Sequence, residues 1–153
     1  MDGFAYAGEA VGGLYFGARD KNNFQLLTRL LFRWGIVLSL IFTILYLFGG
    51  NAFLAFLTDD AAVLAEAQTY IGYAIAIPLL SFAAFLYDGL FIGTTSTRGM
   101  LIAMAGAAIG FFACELSLKN TFGNHALWAA FLIYLSLRGV IQWIYYGRIE
   151  RKL

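Results

Sequence analysis

The sequence predicts an all-α, polytopic membrane helix bundle, and three observations carry that prediction. Of 153 residues, 61% are apolar and only 12% charged, with a mean hydropathy of +0.77. An ordinary soluble domain is about 25% charged. Charge is also missing in blocks: 25 consecutive residues between Arg33 and Asp59 carry none, and 21 more between Glu66 and Asp88. About 20 helical residues cross the roughly 30 Å hydrocarbon layer, so runs of this length read as spans. The third observation is that the basic residues gather in alternate connections.

Five apolar segments follow in order, one partial and four full, over approximately 1–18, 32–50, 67–94, 100–118 and 126–146. The first is rich in small residues, with glycine at 3, 8, 12, 13 and 17. Gly8/Gly12 and Gly13/Gly17 have the spacing that permits close helix contact in lipid. This segment is shorter than a full span and reads as a helix whose beginning lies upstream. Arg19 to Asn23 is polar and reads as a loop leading into a short interfacial helix. Phe32 to Gly49 is the second segment, with Trp34 and Tyr46 near its ends as in an aromatic belt. Gly49-Gly50-Asn51 is expected to break it. Phe53 to Leu57 is too short to cross, and Thr58-Asp59-Asp60 forms an acidic cap in water.

The third segment is the longest. Pro78 within it removes a backbone donor and predicts a kink. Thr94 to Gly99 reads as a turn, and the fourth segment carries another four-residue glycine pair, Gly106 and Gly110. Lys119 to His125 reads as a second loop, with His125 as a capping or interface residue. The fifth segment has Trp128, Trp143, Tyr145 and Tyr146 toward its ends, and Arg148 to Lys152 forms a basic tail.

Under strict alternation, Arg19, Lys21, Arg29, Arg33, Arg98, Arg148, Arg151 and Lys152 all fall on one side, and only Lys119 on the other. The positive-inside rule then makes the C-terminus cytoplasmic, in a multi-pass protein of the inner (plasma) membrane. The net charge of +1 and the scattered basic residues give no stripe for nucleic acid. One cysteine, Cys114, and one histidine, His125, supply neither a disulfide framework nor a common zinc site. No nucleophile-and-base set and no phosphate loop occur, so neither an enzyme nor a resident cofactor is expected.

Ionisable groups at membrane depth are costly, which makes each a functional candidate. Asp2 and Glu9 are seven apart, on nearly the same helix face. Asp88 precedes the Thr94 turn by six residues, about 9 Å into its span. Arg138 is the one basic residue deep in a segment, and Tyr134, Arg138 and Gln142 recur every four residues as a polar stripe. Asp88 or Glu9 could pair with Arg138; alternatively, Arg138 could snorkel to the membrane surface.

Asp2-Gly3-Phe4-Ala5-Tyr6-Ala7-Gly8-Glu9-Ala10, Gly13 and Gly17-Ala18-Arg19-Asp20 resemble the multidrug and toxic compound extrusion (MATE) transporters, in particular their DinF-like branch. Leu57-Thr58-Asp59-Asp60, Tyr87-Asp88-Gly89-Leu90-Phe91-Ile92-Gly93, Gly123-Asn124-His125-Ala126-Leu127-Trp128 and Arg138-Gly139 follow in that branch's order. The resemblance implies a proton- or sodium-driven exporter of small organic, often cationic, compounds, with two six-helix lobes around a central cavity. This chain would correspond to the end of the eighth helix through the twelfth, most of a C-terminal lobe. The lobe missing from it, or a full-length homologue, would then be a partner alongside the lipid bilayer. The family usually has alanine where this chain has Gly8. The competing readings are a membrane-embedded structural or regulatory partner and an inactive truncated product.

Overall fold

The computed structural model describes residues 2–151 and 153. Met1 and Lys152, placed above in the first segment and the basic tail, lie outside the described residues. The fold is all-α: α1 (Asp2–Gly17), α2 (Lys21–Leu57), α3 (Ala61–Gly93), α4 (Thr97–Phe122) and α5 (Asn124–Glu150). Four of them, α2 to α5, are long and apolar enough to cross a membrane. Their exposed surface is lined with large apolar side chains such as Phe48, Phe56, Leu101 and Ile109, as a lipid solvent requires. The central helix is α3, which packs against α1, α2 and α5, while α4 lies outside and pairs chiefly with α5.

Several helix limits differ from the sequence reading. The loop at Arg19 shrinks to a turn over residues 18–20 and no separate interfacial helix precedes Arg33: α2 starts at Lys21 and runs 37 residues, about 55 Å at 1.5 Å per residue. Asp20 starts it by accepting hydrogen bonds from Asn23, backbone N at 3.0 Å and Nδ2 at 2.6 Å. The backbone bond first, then the side-chain bond, holds the Asp20 carboxyl below its usual range. Nothing between Lys21 and Arg33 interrupts a helix thus begun, since that stretch has neither proline nor glycine. Gly49-Gly50-Asn51 does not break α2 either. Lipid offers the backbone no competing partners, so glycine is tolerated there. Gly50 has a packing use besides, because an added Cβ would stand 2.8 Å from Ile71 Cδ1 of α3.

The connections are shorter than expected. The turn after α3 is only Thr94 to Ser96, and the helices α4 and α5 are separated by Gly123 alone. Gly123 has φ 53°, a conformation that favours glycine, so one residue reverses the chain and no loop from Lys119 is needed. Both α1 and α3 close with a left-handed residue, Arg19 and Thr95. The following amides bond back five residues, Asp20 N to Tyr15 O and Ser96 N to Phe91 O, each 2.9 Å. Asp60 caps α3 by accepting from Ala62 N at 2.8 Å. The helix α3 is continuous through the buried Pro78. Thr43 Oγ1 of α2 donates to the Ile75 carbonyl at 3.4 Å, beside the Ala74 carbonyl that Pro78 leaves without a helical donor.

Two of the three glycine pairs of the sequence reading serve as contacts, while of Gly13 and Gly17 only Gly13 does, since nothing lies within 4 Å of an added Cβ at Gly17. Gly106 and Gly110 of α4 admit Ile141 and Leu137 of α5, and Gly8 and Gly12 of α1 admit Leu31 and Leu90. At Gly8 the nearest atom to an added Cβ is Leu31 Cδ1 at 3.2 Å, the end of a flexible side chain. Alanine also forms helix better than glycine by about 1 kcal/mol. Gly8→Ala is therefore expected to leave the detergent-unfolding midpoint unchanged or raise it. A clear drop would mean that Leu31 has no room to turn.

Candidate functional site

The polar side chains of α5 meet α3 at one buried point. Arg138 Nη2 donates to Asp88 Oδ2 in an ion pair, and Gln142 Nε2 donates to Asp88 Oδ1 at 2.6 Å. The Arg138 and Asp88 side chains are 11% and 12% exposed and Gln142 is 0% exposed, so the pair is enclosed. Arg138 thus pairs with Asp88 rather than snorkelling, and Glu9 is not its partner. The geometry follows from spacing. Residues 138 and 142 are one turn apart on the face of α5 that packs on α3, and Gly139 brings the backbones close, 3.5 Å from an added Cβ to Ala83 Cβ and Ala84 N.

The cluster has unused hydrogen-bonding capacity. Arg138 Nε and Gln142 Oε1 are buried without a partner among the described residues. An unpaired buried polar atom costs about 1–3 kcal/mol, and native proteins leave few of them. The site brings together one carboxylate, one guanidinium and one amide oxygen without a partner among the described residues.

The other candidates lie elsewhere. Glu9 is half-buried on α1 and makes no side-chain hydrogen bond or ion pair among the described residues. Its backbone carbonyl faces Gly93 of α3. Asp2 is exposed, and Tyr134 lines a shallow hollow with Ala108, Phe111 and Phe131. No group of three or more His, Cys, Asp or Glu is placed to hold a metal ion among the described residues.

At the opposite end from the C-terminus, α2, α3 and α5 part around an apolar hollow of about 740 Å³. Tyr46, Phe53, Tyr70 and Trp128 line it, with Glu66 as the one charged lining residue among the described residues. His125 stands close by, its ring 5.0 Å from Tyr70 and Nδ1 3.3 Å from the Tyr73 hydroxyl, which makes it an interface residue.

Two further polar residues on the same stripe of α5 were not read as site residues from the sequence. Tyr146 and Glu150 continue the four-residue stripe of Arg138 and Gln142 to the end of α5, and extending that count would have found them. Gly89 and Gly93 were read only as motif residues, although they too are four apart and form the seat of α1 on α3.

Four helices of membrane length, with large apolar side chains outside and an ion pair enclosed between α3 and α5, define a multi-pass integral membrane protein. The MatE family model matches residues 1–114, and the chain belongs to that family, whose members are efflux transporters and not enzymes. It is 38% identical to DNA damage-inducible protein F of Escherichia coli (strain K12) over 140 residues, which is 92% of this chain and 30% of that protein. It is 25% identical to Protein DETOXIFICATION 42 of Arabidopsis thaliana over 92% of the chain and 27% of the relative. Protein DETOXIFICATION 43 of the same plant is 26% identical over 91% and 26% respectively. The chain therefore spans 30% or less of the length of these relatives. No solved structure matches it.

Proposed function

We propose that this chain supplies most of the C-terminal lobe of a cation-coupled multidrug antiporter, with Asp88 as the carboxylate that exchanges a proton or sodium ion. The enclosed Asp88–Arg138–Gln142 cluster carries the reading, together with membership of the MatE family. Alternating access requires that binding energy differ between the two facing states. A carboxylate that gains or loses a cation beside a fixed guanidinium changes its charge and its bonding at once, and α3 and α5 both feel the change. The exported compounds are small and organic, often cationic. The aromatic hollow holding Glu66 suits such a compound, since ring faces and one carboxylate attract a cation. The end bearing Arg19, Arg98 and Arg148 faces the cytoplasm of an inner (plasma) membrane. The other lobe comes from a longer chain or a homologue. Glu9, Asp2 and Tyr134 remain candidates for the substrate cavity that the two lobes would enclose.

The test is a chimera in which this chain replaces the matching third of the Escherichia coli relative. Chimera-bearing cells should expel a fluorescent organic cation in proportion to the proton or sodium gradient. Asp88→Asn with Arg138→Gln removes the exchangeable charge and leaves no unpaired partner. That double variant should reach the membrane at normal yield and lose gradient-driven efflux. Full gradient-dependent efflux from it would remove Asp88 from the coupling role. Glu9→Gln in the same chimera, with normal yield and altered efflux, would place Glu9 in the cavity.

A further inference from the structure

The polar face of α5 runs on past Gln142, through Tyr146 to Glu150, one turn per step. Its lower half is bonded across to α2. Tyr146 Oη lies 3.1 Å from both Thr28 Oγ1 and Glu150 Oε1, and Gln25 Nε2 donates to the same Glu150 oxygen at 3.2 Å. A phenol has one proton to give. Thr28 already donates its own to the Phe24 carbonyl at 3.0 Å, so toward Tyr146 it only accepts. The single Tyr146 proton thus has two acceptors at equal distance. Charge on Glu150 decides between them, because a bond to an ionised acceptor is about twice as strong.

The upper half of the line holds Gln142, bonded to Asp88 through Nε2 and with Oε1 unpartnered in a fully buried side chain. That oxygen is an acceptor placed one turn from Tyr146. Glu150 itself is half-buried in the last turn of α5, where the helix dipole disfavours a negative charge, so helix stability does not account for it.

We propose that Tyr146 and Glu150 form the cytoplasmic proton port of Asp88, a role that rests on the reading of Asp88 as a proton-exchanging carboxylate. In release, the Asp88 O–H bond breaks and its electron pair stays on the carboxylate. Water held by Gln142 Oε1 takes the proton and passes it to Tyr146 Oη, while Tyr146 gives its own proton to the Glu150 carboxylate. The new Glu150 O–H bond then breaks to surface water, forming hydronium. One proton has moved, and Tyr146 and Glu150 are restored.

The surroundings of Glu150 permit this change of charge. From α2 it meets the neutral Gln25 and, through Tyr146, Thr28, while Lys21 and Arg29 are exposed. From α3 the nearby titratable group is Tyr87, its ring centroid 5.6 Å from that of Tyr146. On α5, Arg148 is held over the Tyr145 ring at 4.3 Å. Among the described residues no cation is bonded to Glu150, in contrast to Asp88.

The test uses the whole chain in lipid nanodiscs, with infrared spectra recorded after a rapid pH jump. The carboxyl C=O band missing from Asp88→Asn/Arg138→Gln is the Asp88 signal. Glu150→Gln and Tyr146→Phe should each slow its appearance by about ten-fold or more, with final amplitude intact, and Glu150→Asp should restore most of the rate. A purely structural tie between α2 and α5 would lower the melting temperature of these variants and leave the rate unchanged. An unchanged rate in either folded variant overturns the port, and either variant alone decides it. Absence of any band assignable to Asp88 overturns the port and the Asp88 reading together.

Discussion

Asp88→Asn should destabilise the bundle by about 3–5 kcal/mol, because it leaves the Arg138 guanidinium buried without a counter-charge. The ion pair is enclosed, and Arg138 has no other carboxylate bonded to it among the described residues. A guanidinium cannot shed its proton to escape. Arg138→Gln should cost less, since the carboxyl left behind can become neutral by taking up a proton and keeps its bond from Gln142. Combining the two should cost less than Asp88→Asn alone, because a neutral pair leaves no isolated charge in a site shielded from bulk solvent. The order of the three, read from denaturant titrations in detergent, is the diagnostic result. A loss below about 1 kcal/mol for Asp88→Asn would be the value of a solvent-screened surface pair, and would mean that bulk solvent screens the cluster. The coupling role proposed for Asp88 depends on enclosure, so that outcome would count against it.

The parts legible in the sequence were those that lipid physics writes into composition. Uncharged runs located α2 and α3, and apolar segments located α4 and α5, because no hydrated face is needed there. The stripe of Arg138 and Gln142 located one side of the cluster, since turn spacing alone puts both on one face. Asp88 stood out as an ion at depth, but its partner did not: one sequence cannot rank Asp88 against Glu9 for the same arginine. Helix limits were the least legible. Arg19 to Asn23 is polar enough to pass for a loop and the stretch up to Arg33 for a separate interfacial helix, and only the Asp20 cap shows why Lys21 to Arg33 is the first part of a long helix. Gly49-Gly50 has the form of a break in water, yet in α2 it is an opening for Ile71. Its meaning depends on a neighbour 21 residues away.

Gly89→Ala should detach α1 from α3, a larger effect than one methyl group has at most sites. An added Cβ at Gly89 would run into the Ala5 carbonyl, and one at Gly93 into the Glu9 carbonyl. Gly13 of α1 faces Gly93 in return, with an added Cβ 2.8 Å from its carbonyl oxygen. The two helices are therefore in backbone contact along three glycines, and no side chain is available to turn aside. Lipid tails are as apolar as the helix surfaces, so no hydrophobic force rebuilds a seam once close packing is lost. Forced overpacking in a core costs about 1–3 kcal/mol, and a clash with main chain sits at or above the top of that range. Alanine's better helix propensity, worth about 1 kcal/mol, offsets only part of it. Gly72→Ala is the matched control, because Gly72 is exposed on the same helix with nothing within 4 Å of an added Cβ; it should hold or raise stability. Hydrogen exchange resolves where the loss falls. In Gly89→Ala the amides of α1 should exchange much faster, while α4 and α5, which pair with each other, keep their protection. Wild-type protection in α1 would show that the helices do not meet through backbone, and the position of Glu9 on α3 would lose its support.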